Sequence, residues 1–421
     1  MAVVRMLIAA ALVVCPAAAR AAKPPNVLLI ISDDQGWTDF GFMGHPVVQT
    51  PHLDRLASQS VVFPNGYVTV PLCRPSLASI MTGQYGFRTG IYCNNPPDGV
   101  PRTKTHHLIQ QVPTLPRLLG KAGYRSFQTG KFWEGKHENA GFTHGMTGEG
   151  DRHGSRKGLQ IGRDGLQPIY DFIEESGDTP WLVWYAPFMP HAPHNPPERL
   201  LKKYTAEGRS PRLAAYWAMC EWLDETCGEL LGYLERRGLA ENTLVVFIVD
   251  NGWIQETGPV RQSVGWFTPK SKLSPYDGGL RTPVIIRWPG RVAPQKREEL
   301  VSSIDLAPTI LRACGVEPPP EMTGVDLLQV IAGKHDIRNR PVFGEVYVHT
   351  EVAVGEPAKS LVHRVVRQGE WKLILPYDTS KPAELYHITE DPTEERNLAK
   401  EHPDRVAELT QLLDRWWNPR E

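Results

Sequence analysis

Three stretches of the chain are apolar without interruption over strand length: Asn26–Ile31, Trp181–Ala186 and Thr243–Val249. A strand with one wet face alternates apolar and polar residues, whereas a continuous run suits a strand buried on both faces of a parallel sheet. Tyr124–Thr129 and Val284–Trp288 read as further strands. Between them the apolar spacing becomes helical. Thr50–Ala57 opens with Thr50 as the expected cap and Pro51 at the first helical position, Leu115–Gly123 follows, and Arg212–Arg237 carries Leu213, Trp217, Cys220, Leu223, Leu230 and Leu234 on one face. Glu138–Arg163, rich in Gly, His and charge, has no period and is expected to be a long loop.

After Pro341 the pattern changes to short strands near Val342–Val348, Leu361–Val366, Trp371–Pro376 and Glu384–Ile388, closed by an amphipathic helix over Pro403–Trp417. The chain has 421 residues, and single hydrophobic cores stop growing at roughly 250–300 residues, so two domains are expected, over 23–340 and 341–421. Residues 1–22 read as a secretory signal: Arg5, the apolar run Met6–Val14, then small residues through Ala17–Ala21. That run is too short to span a bilayer, which predicts a secreted or periplasmic protein with no stable membrane span.

Charge changes the picture little. Lys plus Arg number 46 against 47 Asp plus Glu, which leaves no global field to attract nucleic acid. Cysteine adds one constraint. Beyond the leader there are five, Cys73, Cys93, Cys220, Cys227 and Cys314, so at least one thiol stays unpaired in an oxidising compartment. Cys220 and Cys227 sit seven apart on a predicted helix, a rise of about 10 Å, too far to bridge each other.

The candidate chemistry lies where strands end. Asn26–Ile31 runs into Ser32-Asp33-Asp34-Gln35-Gly36, Thr243–Val249 into Asp250-Asn251-Gly252, and Trp181–Ala186 into Pro187-Phe188-Met189-Pro190-His191. Each alone fits a solvated turn or a helix cap. Together they fit a site, because ligands of open α/β sheets bind outside the carboxyl ends of the strands. Three carboxylates and an amide oxygen are hard donors, suited to Ca2+ or Mg2+ rather than zinc. Cys73 begins Cys73-Arg74-Pro75-Ser76-Leu77, where Pro75 in a first helical turn would leave the thiol facing free N–H groups and a positive dipole end.

These segments resemble, in family order, the type I sulfatases of the alkaline phosphatase superfamily. Cys73, Pro75, Ser76, Thr82 and Gly83 match the Cys-x-Pro-Ser-Arg…Thr-Gly signature, Gly130-Lys131 matches Gly-Lys-Trp-His, and Pro190-His191 matches Pro-His-x-Pro. Lys272-Leu273-Ser274-Pro275-Tyr276-Asp277-Gly278-Gly279 is similar to Lys-x-x-x-Tyr-Glu-Gly-Gly. The chain departs from the pattern where Leu77 replaces the signature arginine, Gln84 follows Thr-Gly, and Trp133 replaces the motif histidine.

The resemblance implies an α/β fold, a large mixed, mostly parallel sheet sandwiched by helices, with a smaller C-terminal α+β domain. It also implies Asp33, Asp34, Asp250, Asn251 and residue 73 as ligands of a divalent metal; the oxygen-only, highly charged donor set makes calcium the first choice, because its coordination shell is the larger. Cys73 would be oxidised to formylglycine by a formylglycine-generating enzyme, and its hydrate would attack sulfur. Lys131 and Lys272 would stabilise the sulfuryl oxygens and His191 would protonate the leaving alcohol. The implied activity is hydrolysis of sulfate esters, of a sulfated small molecule or glycan. The alternatives are a phosphodiesterase or phosphonate monoester hydrolase on the same scaffold, and a non-catalytic sulfated-glycan binder.

Overall fold

Every residue of Asn26–Ser32 (β1) is buried, and its side chains divide between two cores. Val27, Leu29 and Ile31 pack on one face of the sheet, Leu28 and Ile30 on the other, as the two-residue period of a strand dictates. The computed structural model describes residues 23–148, 155–258 and 265–421; the expected leader lies outside the described residues. Its other strands are Val61–Tyr67 (β2), Arg125–Gly130 (β3), His144–Gly145 (β4), Trp181–Ala186 (β5), Thr243–Val249 (β6), Arg281–Arg287 (β7), Gln295–Lys296 (β8) and Val301–Ser302 (β9). A second set comprises Val342–Tyr347 (β10), Leu361–Gln368 (β11), Trp371–Pro376 (β12) and Glu384–His387 (β13).

The first nine strands form one sheet in the order β4-β3-β5-β1-β6-β7-β2-β8, with β9 also on β2. β4, β3, β5, β1 and β6 are parallel neighbours, whereas β7 runs antiparallel to both β6 and β2. The carboxyl ends of the parallel strands therefore open on one edge of the sheet. β10 to β13 form an antiparallel sheet covered by the helix Pro403–Trp416. Val342, Val346, Val365 and Ile374 of this smaller sheet join the core beneath β1, so the two sheets share apolar contacts. A buried ion cluster adds to the tie: Lys372 on β12 reaches Asp277 at 2.8 Å and Glu394 at 2.7 Å.

Three local features differ from the sequence expectation. β2 carries no isolated pattern that singles it out, since Pro64, Asn65 and Gly66 interrupt it, yet all seven of its residues are buried. Thr50 does not cap the helix Pro51–Ser58; Asp224, buried on the long helix Pro211–Arg236, accepts the His52 and Leu53 N–H groups at 3.1 and 2.7 Å. A carboxylate offers more to those unpaired N–H groups than a hydroxyl does. Within the expected 138–163 loop the described part holds short pieces, His137–Ala140, β4 and the helix Ser155–Gln160. All five described cysteines are free.

Candidate functional site

The strand ends deliver the candidate residues to one place. Asp33 and Asp34 follow β1, and the Asp33 N–H donates to the Met189 carbonyl beyond β5 at 3.0 Å. Asp250 follows β6, and its N–H donates to the Ser32 carbonyl at 2.9 Å. Its Oδ1 in turn accepts the Asp34 N–H at 3.0 Å and the Asn251 N–H at 2.6 Å. Asp34 has φ +58°, the left-handed region that costs a non-glycine residue energy and recurs at functional sites. Lys131 follows β3 through Gly130, whose φ is +69° and where a Cβ would strike the Ala186 carbonyl.

One ligand atom each from Asp33, Asp34, Cys73 and Asp250 fits within 4.8 Å of all the others. Two lysines enter the same cluster. Lys131 Nζ donates to Asp33 and, at 2.9 Å, to Asp250 Oδ2. Lys272 Nζ reaches Cys73 Sγ at 3.0 Å and Asp34 Oδ1 at 2.5 Å. Cys73 is the first residue of the helix Cys73–Thr82, as its sequence suggests, and is buried. His191 Nε2 stands 3.5 Å from Asp34 Oδ2. Its Nδ1 is 2.6 Å from the Ala192 carbonyl, which can only accept, so the Nδ1 proton is fixed there and Nε2 faces the cluster.

Burial pushes Asp33 and Asp250 up to about 6, against the pull of Lys131. Burial would also raise Asp34, but Lys272, His191 and Lys131 hold its carboxyl far below the usual range. Burial opposes the charge on both lysines too, and is outweighed by Asp250 and Asp33 around Lys131 and by Asp34 beside Lys272. The Cys73 thiol is pushed up to about 11 by burial, although both lysines pull it down; as a free thiol it is a protonated, weak nucleophile.

The donor set fits a hard divalent cation. Three carboxylates face two ammonium groups, which leaves negative charge uncompensated. Asp33 Oδ2 and Asn251 Oδ1 are buried oxygens with no hydrogen-bond partner, the condition expected of atoms meant for a cation.

Above this floor lies a cavity of about 330 Å3. Asp34, Cys73, Lys272 and His191 line its base, and Trp133, Trp253, Phe267 and Leu273 give it apolar walls. Asn94 and His349 add further polar groups. Neither was legible as a site residue: Asn94 sits in an irregular Cys-Asn-Asn-Pro-Pro loop, and His349 follows a strand of the smaller sheet. The two departures from the sulfatase pattern part ways here. Trp133 lines the cavity, with the Arg102 guanidinium 4.8 Å above its ring, whereas Leu77 packs into the core. Arg74 does not replace the absent arginine, because its side chain turns to Glu134 and Glu351.

Fold and site together define a sulfuric ester hydrolase of the alkaline phosphatase-like fold, and the chain belongs to the sulfatase family: the Sulfatase family model matches residues 25–316, more than half of it. A second model, described as N-sulphoglucosamine sulphohydrolase, C-terminal, matches residues 263–417. The chain is 31% identical over 362 residues to N-acetylgalactosamine-6-sulfatase of Canis lupus familiaris, covering 76% of this chain and 68% of that protein. It is 26% identical over 490 residues to N-acetylgalactosamine-6-O-sulfatase of Bacteroides thetaiotaomicron, covering 92% of each. A protein solved in complex with its substrate D-glucosamine-2-N,6-O-disulfate shares the fold, with TM-score 0.74 and 22% identity over 94% of this chain and 98% of that one.

Proposed function

We propose that this sulfatase removes sulfate from sulfated carbohydrates, outside the cytoplasm, with Cys73 converted to formylglycine and a calcium ion held by Asp33, Asp34, Asp250 and Asn251. The observation that carries the reading is the convergence of Asp33, Asp34, Asp250, Cys73, Lys131 and Lys272 on one edge of the sheet, with Asn251 hydrogen-bonded to Asp34 beside them, beneath a cavity with His191 at its base. The names of the relatives support a sugar substrate, and the apolar leader supports export. No helix of the described residues is long and apolar enough to cross a membrane.

A divalent cation at these donors supplies Lewis-acid polarisation of a sulfuryl oxygen. A hydrated aldehyde at position 73 supplies a hydroxyl nucleophile. The chain's own residues do the rest. Lys131 and Lys272 place two ammonium groups against oxygens that gain charge in the transition state, in a site where burial strengthens the attraction. His191 holds a proton at Nε2 and delivers it to the departing alcohol oxygen. An anionic substrate beside it and the Asp34 carboxylate both favour the protonated ring, which burial otherwise lowers to about 4.

Mass spectrometry of the peptide spanning residue 73, from protein made in its native host, tests the reading together with sulfate release from sulfated hexosamines. Formylglycine and released sulfate are the expected results. An unmodified cysteine in every active sample overturns the assignment of the nucleophile, and turnover of aryl phosphodiesters but no sulfate ester overturns the substrate.

A further inference from the structure

The cavity above Cys73 has walls from both parts of the chain. Trp133, Trp253 and Phe267 come from the large α/β part, and His349 comes from the segment just after β10 in the smaller one. The floor carries the charged groups that suit the sulfuryl group, so the space above them must hold the rest of the substrate. At about 330 Å3 it lies at the small end of ligand pockets, about 300–1,000 Å3, and suits one sugar ring rather than a stretch of polymer.

His349 is exposed, yet its position is fixed. Its carbonyl accepts the N–H groups of Asn94 and Asn95 at 3.1 and 3.3 Å, and the Glu351 N–H returns to the Asn95 carbonyl at 2.9 Å. The ring lies between two amide NH2 groups, with Nε2 3.3 Å from Asn94 Nδ2 and Nδ1 3.2 Å from Asn95 Nδ2. An imidazole accepts at one nitrogen only, so one of these amides donates to the ring and the other ring nitrogen carries a proton that a ligand can accept. Those amides are themselves oriented. Asn95 Oδ1 accepts from Arg102 Nη2 at 2.6 Å, and Asn94 Oδ1 accepts the Arg74 N–H at 2.9 Å, in the first turn of the helix that begins with Cys73. Hydrogen bonds thus run from the Arg74 N–H, next to the nucleophile position, through the side chain and backbone of Asn94 to the His349 carbonyl, and place its imidazole at the cavity mouth.

An exposed histidine serving only solubility needs no such support, whereas a ligand-contacting group held by its neighbours gains selectivity because little freedom is lost on binding. We propose that His349 is a specificity-determining residue of this sulfatase, hydrogen-bonding, together with the Asn94 amide, a ring substituent of the sulfated sugar that occupies the leaving-group cavity. This rests on the sulfated-carbohydrate reading above. It adds that the smaller C-terminal part contributes one group to the choice of sugar, beside the walls supplied by the larger part.

The test compares wild type with His349→Ala and His349→Gln on a panel of monosulfated hexosamines and galactoses and on 4-nitrophenyl sulfate, which offers no ring hydroxyl. The ratio of kcat/KM for the preferred sugar to that for the aryl sulfate is expected to fall at least tenfold in His349→Ala, mostly through KM. Partial recovery is expected in His349→Gln, which keeps a donor and an acceptor. An unchanged ratio overturns the proposal, including the case where both substrates lose equally.

A binding arm separates this from failure of the enzymatic reading. Calorimetry on the Cys73→Ala protein, with and without His349→Ala, measures affinity for the same sugar sulfates and for inorganic sulfate without turnover. A tenfold loss confined to the sugars supports the proposal even if wild type hydrolyses no sulfate ester. An equal loss for inorganic sulfate, or no binding by any sugar of the panel, overturns it.

Discussion

Arg74 grips Glu134 with two hydrogen bonds, Nε to Oε1 at 2.7 Å and Nη2 to Oε2 at 2.9 Å, and both side chains are buried. The pair ties the residue after Cys73 to the segment that follows Lys131 and Trp133, so one ion pair sets two walls of the site. Breaking a buried pair by removing one partner leaves an uncompensated charge and costs about 3–5 kcal/mol. Arg74→Met is expected to destabilise by that much in denaturant unfolding, and the Arg74→Met/Glu134→Gln double variant by less than the sum of the singles. Additive losses would mean that the two side chains act independently.

Removal of a proposed metal ligand should show in metal content as well as in rate. Asp33→Ala or Asp250→Ala is expected to abolish both bound calcium, measured by elemental analysis, and turnover, because each removes charge from the cluster. Asn251→Ala takes away a neutral donor and should be milder. Full calcium occupancy in an inactive Asp33→Ala protein would remove that residue from the ligand set.

The two lysines and the tryptophan should separate on paired substrates. Lys131→Ala and Lys272→Ala each remove a charged hydrogen-bond donor, worth about 1.5–3 kcal/mol, so turnover should fall roughly ten- to hundredfold on a sugar sulfate and an aryl sulfate alike. Trp133→Ala takes away a wall of the cavity and is expected to weaken the sugar sulfate more than the aryl sulfate. Equal losses on both substrates would leave Trp133 as packing.

Glu345 on β10 should make stability fall with rising pH. It is fully buried, and its Oε2 accepts the Phe87 N–H at 3.1 Å and the Tyr347 hydroxyl at 2.5 Å. Burial raises it from an ordinary value of 4.5 to about 8 despite those donors. The native state therefore holds a proton that the unfolded chain releases, so the contribution is fully present below pH 4.5 and is lost as pH rises through about 8. A tenfold difference in proton affinity between the folded and unfolded chain corresponds to about 1.4 kcal/mol at most. Glu345→Gln, which mimics the protonated side chain, should flatten the decline between pH 5 and 8 in thermal melts. An equally steep decline in that variant would assign it to other groups.

Much of the architecture was legible in the sequence because its central strands are buried on both faces. Asn26–Ile31, Trp181–Ala186 and Thr243–Val249 have no wet side to disguise their period; the first and third end abruptly in polar residues that mark the edge of the sheet, and the second in a proline-bounded turn that carries His191. The short motifs around Cys73, Lys131, His191 and Lys272 were equally visible, since each is a local run of residues. β2 was hidden by its proline and glycine, and the cap of Pro51–Ser58 by its partner lying on another helix.

Runs of a few consecutive residues thus specify the central strands, their polar ends and the family to which those ends belong, because each of these signals is local. Tertiary packing was needed to bind Arg74 to Glu134, to set Trp133 in the wall of a cavity, and to bring Asn94 and His349, 255 positions apart, together at its mouth. Contacts of that kind arise from how two sheets pack and which loops their shared core brings together. No local pattern of apolar and polar residues encodes them.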